Sequence, residues 1–182
     1  MSYINYIKNN KSGFTLIELM VAVSIFIIIM TISMGSIINI FNANRKAKSL
    51  KTVLGNLNLA VESMSREMRF GKNYHCGSGT VTLPQNCAGG GTLMSFLSSD
   101  DEQVTYRLNG TAIEKDIDSA GYVRVTAPEM MIDDLTFYTL GAGLGNTLQP
   151  KVFIKIRSHA GSGNSQTNFT LQTLASQRGL DI

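Results

Sequence analysis

One long apolar stretch dominates the hydrophobic pattern near the start of the chain. Residues Phe14–Phe41 are nearly all apolar, and Glu18 is the only charged residue among them. The stretch exceeds the ~20 residues that a membrane-spanning helix needs. A cleavable secretory signal has a shorter core that ends in a small-residue cleavage site, and no such site follows this stretch. The pattern therefore predicts a transmembrane helix, or one buried in a similar apolar environment, over residues 14–41.

The helical pattern continues beyond this stretch but becomes amphipathic. Apolar residues recur at intervals of three and four, which places them on one helical face: Leu50, Leu54, Leu57, Val61, Met64 and Met68. No proline occurs between Phe14 and Gly71. We therefore predict one long N-terminal helix over residues 14–72, whose second half lies against a globular domain.

After the helix, the pattern changes to short strands separated by turns. Asn109-Gly110 is a strong hairpin signal between two of these strands. The predicted strands are Thr92–Leu97, Gln103–Leu108, Thr111–Ile117, Tyr122–Thr126, Met131–Leu140, Lys151–Ser158 and Asn168–Ala175. Residues 73–182 are thus predicted to form a β-rich domain. A long helix packed on an antiparallel sheet gives an α+β fold.

The carboxylate of Glu18 should have a positively charged partner, because the surrounding stretch is apolar. On membrane-insertion scales, an acidic residue at the centre of a spanning helix costs about 2.5–3.5 kcal/mol. No basic residue lies within one helical turn of Glu18. We therefore expect its counter-charge to come from another chain.

The residues around Glu18 also form a recognisable motif. The stretch Lys11-Ser12-Gly13-Phe14-Thr15-Leu16-Ile17-Glu18 closely resembles the prepilin cleavage and methylation motif of type IV pilins and type II secretion pseudopilins. The resemblance implies that a prepilin peptidase cuts after Gly13, removes residues 1–13 as a leader peptide and N-methylates Phe14. It also implies that Glu18 pairs with the new amino group of a neighbouring subunit and fixes the register of assembly.

The resemblance continues more weakly along the chain. Val61–Arg69 is similar to the end of the long helix in minor pilins, and Phe169–Arg178 is similar to their closing strand. The late strands resemble those of J-type minor pseudopilins and W-type minor pilins. Major pilins often carry a proline near the position of Gly35, which this chain lacks. The implied fold is the pilin fold, and the implied subunit type is a minor one.

This resemblance implies a structural subunit and not an enzyme. Its expected partners are the prepilin peptidase, other pilin or pseudopilin subunits, the inner-membrane assembly platform and, before assembly, membrane lipid. We expect a single-pass protein of the cytoplasmic (inner) membrane, with the C-terminal domain outside, that later enters a cell-surface or periplasmic filament. The resemblance fits a subunit of a pilus and a subunit of a secretion or competence pseudopilus equally well. The alternative function is a pilus-tip adhesin or DNA-uptake receptor.

Charge gives a weaker guide to partners. The net charge is +3 at pH 7, which is too small to predict nucleic-acid binding. Four basic residues follow the apolar stretch: Arg45, Lys46, Lys48 and Lys51. The positive-inside rule alone would place them in the cytoplasm, whereas the peptidase motif and the cysteines favour the opposite orientation. We interpret the cluster as a contact with lipid phosphates or neighbouring subunits, with DNA binding as the alternative.

The two cysteines predict one disulfide. Cys76 and Cys87 lie close together in a short chain that is expected to be exported, and the stretch between them is typical of a loop. Together with His75 and His159 they could in principle bind zinc. The spacing lacks a C-x₂-C pair, so we favour the disulfide.

Other candidate sites are weaker. Three acidic clusters offer hard oxygen ligands that could hold calcium: Asp100-Asp101-Glu102, Asp116 with Asp118, and Asp133-Asp134. None has EF-hand spacing, and we favour solvated turns capped by aspartate side chains. Gly89-Gly90-Gly91 is not followed by Lys-Ser or Lys-Thr, so it is not a phosphate loop. No metal site, cofactor or catalytic residue is predicted.

Overall fold

The structure is a computed structural model that describes residues 13–77, 81–145, 148–161 and 166–179. The chain divides into two compact units, Met1–Arg45 and Lys46–Ile182. A single helix, α1 (Leu16–Phe70), contributes to both units. The predicted leader 1–13 lies outside the described residues except for Gly13.

In the first unit, the described residues are helical from Leu16 onward and are exposed throughout. The large apolar side chains between Phe14 and Phe41 have no packing partner within this unit. Part of the helix is long and apolar enough to cross a membrane. The unit thus forms a regular helix whose apolar surface is not buried by its own chain.

In the part of the chain that the structure describes, the second unit joins the rest of α1 to nine antiparallel strands. These are β1 (Lys72–Cys76), β2 (Cys87–Gly91), β3 (Leu93–Leu97), β4 (Gln103–Asn109), β5 (Ala112–Ile117), β6 (Val123–Arg124), β7 (Met131–Leu140), β8 (Lys151–Ala160) and β9 (Thr167–Ser176). They form a five-stranded sheet in the order β1-β3-β4-β5-β6 and a four-stranded sheet in the order β2-β7-β8-β9. The predicted α+β class, with a long helix and antiparallel strands, is confirmed.

The core of this unit lies between the predicted helical stripe and the two sheets. Leu57, Met64 and Met68 are fully buried. They belong to one apolar cluster with Phe96, Tyr106, Ile113, Leu135, Phe137, Ile154 and Ile156 from the strands. Strand β8 alternates between buried and more exposed positions because successive side chains of a strand point to opposite faces.

A half-buried polar network also connects the helix to the first sheet. The Tyr106 hydroxyl donates to Glu67 Oε2 at 2.8 Å, and Lys115 Nζ donates to Glu67 Oε1 at 2.8 Å. Burial raises the pKa of the Tyr106 hydroxyl, and the nearby negative charge of Glu67 raises it further. At the end of α1, the Tyr74 hydroxyl donates to the carbonyls of Gly71 (2.9 Å) and Met68.

Two strands were not predicted, and one predicted strand is shortened by three of its five residues. Strand β1 follows the helix directly, and β2 begins at the second cysteine, over a glycine run to which the sequence pattern assigned no strand. The predicted strand Tyr122–Thr126 is a regular strand only over Val123–Arg124, although the Val125 backbone N–H still donates to the Ile113 carbonyl at 2.8 Å. Beyond it, the Arg124 side chain donates to the carbonyls of Thr126 and Ala127, so the chain turns away.

Candidate functional site

The predicted cleavage site lies just before helix α1. Gly13 and Phe14 are non-helical and exposed, and Phe14 is 88% exposed. A Cβ atom added at Gly13 would meet no atom within 4 Å. The fold therefore does not require glycine at this position, so a requirement for it would come from a processing enzyme.

Helix α1 begins with a capping box formed by Thr15 and Glu18. The Thr15 backbone N–H donates to Glu18 Oε2 at 3.1 Å, and the Thr15 hydroxyl donates to the same oxygen at 3.0 Å. In return, the Glu18 backbone N–H donates to Thr15 Oγ1 at 3.4 Å. These reciprocal bonds satisfy two backbone donors that a helix start otherwise leaves unpaired.

The capping box changes the interpretation of Glu18. Its carboxylate has local hydrogen-bond donors, but in the described part of the chain it makes no ion pair. Both donors bind Oε2, so Oε1 is left for another group. The capping role of Thr15 was not predicted, although the spacing Thr-x-x-Glu before an apolar run is the sequence signal of this cap.

The polar side chains farther along the apolar helix are satisfied within the helix. The hydroxyls of Ser24 and Thr31 donate to the carbonyls of Met20 and Ile27, each at 2.8 Å, and Ser36 donates to Ile32 at 3.4 Å. Hydroxyls bonded in this way do not need water. The surface is therefore suited to lipid or to other apolar helices.

The segment that contains Gly13, Phe14 and Glu18 matches a known family model. Residues 8–34 match the family model described as the prokaryotic N-terminal methylation motif. The chain carries the prokaryotic N-terminal methylation motif. Together with the α+β arrangement, this motif supports a type IV pilin-like subunit that is processed by a prepilin peptidase and assembles with other pilins. No curated protein and no solved structure matches the chain.

The basic residues that follow the apolar stretch, within helix α1, are all exposed. Arg45, Lys46, Lys48 and Lys51 make no ion pair within the described residues. Their charges are thus available to an external anion.

The predicted disulfide is confirmed. Cys76 and Cys87 are bonded, with their Cα atoms 5.8 Å apart. Cys76 ends strand β1 of one sheet and Cys87 begins β2 of the other, so the bond joins the two sheets. A Cβ atom at Gly91 would lie 2.3 Å from Cys76 Sγ, which explains why glycine occupies this position. The glycine-rich stretch is therefore part of the packing around the disulfide.

The other candidate ligands are not brought together. His75 Nδ1 lies 2.8 Å from the Leu83 carbonyl, while His159 Nδ1 lies 2.8 Å from Asp133 Oδ1. Among the residues that the structure describes, no three histidine, cysteine or acidic side chains are placed to hold a metal ion.

The acidic clusters mostly bond to nearby groups. Asp118 accepts from the Gln103 backbone N–H at 2.7 Å, and Asp116 accepts from the Gly121 N–H at 2.8 Å. Asp101 pairs with Lys72 at 2.6 Å. These bonds are those of turns and surface ion pairs.

Proposed function

We propose that this chain is a minor pilin or minor pseudopilin, a structural subunit of a type IV pilus or type II secretion-like filament. The observation that carries the proposal is the methylation motif at the start of an apolar helix that its own chain leaves exposed. In this proposal, cleavage follows Gly13, Phe14 is N-methylated, and α1 then packs among the helices of other subunits. The protein acts by association and not by catalysis, and it needs no cofactor for this role.

The proposed role of Glu18 is to pair with the Phe14 amino group of a neighbouring subunit. The capping box supports this role because it holds the carboxylate at the helix start while leaving Oε1 unbonded. Burying a charged amino group or a carboxylate in an apolar environment costs free energy unless an opposite charge pairs with it. A subunit shifted along the filament would lose this pair, so the pair favours one register.

Before assembly, we propose that the protein is anchored in the cytoplasmic membrane with its C-terminal domain outside. This orientation places the disulfide in an oxidising compartment and the motif beside a peptidase on the cytoplasmic face. The proposed partners are this peptidase, other pilin or pseudopilin subunits, the assembly platform and lipid phosphates near Arg45–Lys51.

Processing is tested with Gly13→Ala. Alanine fits the open space at this position, so the folded chain should be unaffected while the peptidase loses its unhindered substrate backbone. We expect the precursor to accumulate, as measured by mass spectrometry of the N-terminus. Gly35→Ala is the matched control, because it is also in open space and should mature normally. Normal maturation of Gly13→Ala would contradict the proposal.

Assembly is tested with three variants that separate charge from capping. Glu18→Gln keeps an acceptor for the cap but removes the charge, Thr15→Ala weakens the cap but keeps the charge, and Glu18→Ala removes both. We expect both Glu18 variants to be cleaved but to enter filaments poorly, and Thr15→Ala to assemble. Assembly of Glu18→Gln at the wild-type level would show that the cap, and not the charge pair, is what assembly requires.

The second candidate function is a pilus-tip adhesin or DNA-uptake receptor. It is favoured only by the exposed, unpaired basic cluster. Alanine variants of Arg45, Lys46 and Lys48 should then lose DNA retention while filaments still form. Equal DNA retention by these variants and the wild type would exclude the cluster as a DNA site.

A further inference from the structure

The outer edge of strand β9 differs from the other three sheet edges. Exposed edges are usually protected by shortness, charge, glycine or bulges, because their free backbone groups can pair with another strand. Strand β6 has only two residues, β2 is rich in glycine with a shifted register, and β1 carries Lys72 and a register shift. Each of these three edges is protected in one of the usual ways.

Strand β9 has none of these protections. It pairs with β8 over ten residues without a register shift, and among the described residues it has no strand on its other side. Its sequence, Thr167–Ser176, contains no charged residue, proline or glycine. Leu174, on this strand, is 50% exposed. A long, regular and uncharged edge of this kind is a template for an added strand.

A groove of about 350 Å³ lies beside this strand, between Thr173 and the last turns of α1. It is lined by the basic residues Arg66, Arg69 and Arg178, with Glu62 as the acidic one. Arg66 pairs with Glu62 at 3.3 Å, and Arg178 lies over the Phe70 ring at 5.2 Å. Within the described residues, Arg69 and Arg178 have no acidic partner, so the groove has an excess of positive charge.

Ser65 gives a second, independent sign of a missing partner. Its side chain lines the groove and is buried, with 6% of the residue exposed. Its hydroxyl makes no hydrogen bond within the part of the chain that the structure describes. Buried polar groups normally have a partner, so this hydroxyl points to a group that binds in the groove.

We propose that the β9 edge and the adjoining groove bind an extended, acidic segment of another subunit of the same filament. The segment would add a strand to β9 through backbone hydrogen bonds, and a carboxylate on it would bind Arg69 and Arg178. Because an arginine pair binds a carboxylate with directional hydrogen bonds, the groove would select acidic segments over neutral ones. The inference rests on the proposed function, since it takes the partner from the filament.

The test uses a photo-crosslinking amino acid in the full chain, in cells that assemble the filament. The probe replaces Gln172 on the β9 edge or, as a control, Tyr138 on β7. Register pairing through β8 places both residues on the same face of the sheet, but Tyr138 lies two strands from the edge. Cross-linked peptides are then mapped by mass spectrometry. We expect the Gln172 probe to label an acid-containing segment of another subunit, and the Tyr138 probe not to.

Charge reversal then tests the groove. The double variant Arg69→Glu, Arg178→Glu should reduce the cross-linked yield about tenfold, because charge-assisted hydrogen bonds are replaced by repulsion. Lys151→Glu is the control for charge reversal elsewhere, since it reverses one charge on β8 at a residue that neither lines the groove nor pairs with Gln172. Should the double variant fail to fold, Leu174→Glu places a negative charge on the edge strand and should also reduce the yield, because it repels an acidic segment.

Several outcomes would overturn the inference. These are equal labelling from both probe positions, labelling of lipid, or a yield that neither the double variant nor Leu174→Glu reduces below that of the Lys151→Glu control. Filaments that contain the protein but give no adduct from Gln172 would overturn the edge site while leaving the proposed function intact. A wild-type protein that never enters filaments would instead contradict the proposed function.

Discussion

The two parts of helix α1 differ in whether their apolar side chains are buried. From Leu16 to Arg45, every position is exposed, although most side chains are apolar. From Lys46 to Phe70, polar residues alternate with a stripe that is buried by the sheets. The same secondary structure therefore serves two purposes. The second part is stabilised within the chain, whereas the first part has apolar surface that only lipid or other subunits can cover.

The largest expected effect comes from truncating one apolar residue in each part. Leu57→Ala should lower the free energy of unfolding of the second unit by about 2–5 kcal/mol, because it leaves a cavity in the core. Ile28→Ala, at an exposed position, should leave that unfolding unchanged. Both are measured by near-ultraviolet circular dichroism of the purified full chain in detergent. Equal losses of stability from Leu57→Ala and Ile28→Ala would show that the two parts of the helix do not differ in burial.

The disulfide should stabilise the second unit without affecting processing in the first. Replacing Cys76 and Cys87 by serine should lower the free energy of unfolding by about 3 kcal/mol, on the model in which a cross-link restricts the unfolded chain. Cleavage after Gly13 should proceed normally, as read from the N-terminal mass. A reducing agent should reproduce the loss in the wild type and add nothing in the variant. A processing defect in the variant would show that the two regions depend on each other.

The glycines of β2 offer a sharper test of the packing around the disulfide. Gly91→Ala should cost about 1–3 kcal/mol, because its Cβ would overlap Cys76 Sγ. Gly89→Ala should change stability by less than about 0.5 kcal/mol, since its Cβ would be in open space. Denaturant unfolding of both variants measures the difference. Similar losses for the two would indicate that backbone freedom, and not the sulfur contact, explains the glycine run.

The smallest expected effect concerns the bond between the helix and the first sheet. Tyr106→Phe should cost about 1 kcal/mol at pH 7, because it removes one hydrogen bond to Glu67. The pKa of Tyr106 is raised in the folded state, so its contribution is fully present below the unfolded pKa of about 10 and is lost as the pH rises above it. Unfolding measured from pH 8 to 11 should therefore show a steeper alkaline loss of stability for the wild type than for the variant. Parallel curves would contradict this.

Much of the fold could be predicted because its signals are local. The spacing of Leu57, Val61, Met64 and Met68 identified the buried face of the helix, and Asn109-Gly110 identified the β4–β5 hairpin. Strands β1 and β2 could not be predicted from alternation. The last three residues of strand β1 are all buried, so it shows no alternation, and β2 consists largely of glycine, which carries no hydrophobic pattern. Their pairing depends on partners that are distant in sequence.

For the candidate site, the motif Gly13-Phe14…Glu18 could be identified from the sequence, and the family comparison matched the segment that contains it. The Thr15–Glu18 cap was also present in the sequence as a local pattern, but its hydrogen bonds became apparent only in the structure. The arginine groove had no sequence signal. Arg69 and Arg178 are far apart along the chain, and only the return of β9 alongside α1 brings them together.

The sequence by itself determined where the chain is apolar, where it is helical and where the methylation motif lies. These properties depend on residues that are neighbours in the chain or on one face of one helix. Only the tertiary structure decided that the cysteines join two different sheets and that one strand edge is left unprotected beside a basic groove. These features arise from contacts between distant segments, because strand order and groove shape are set by packing and not by local pattern.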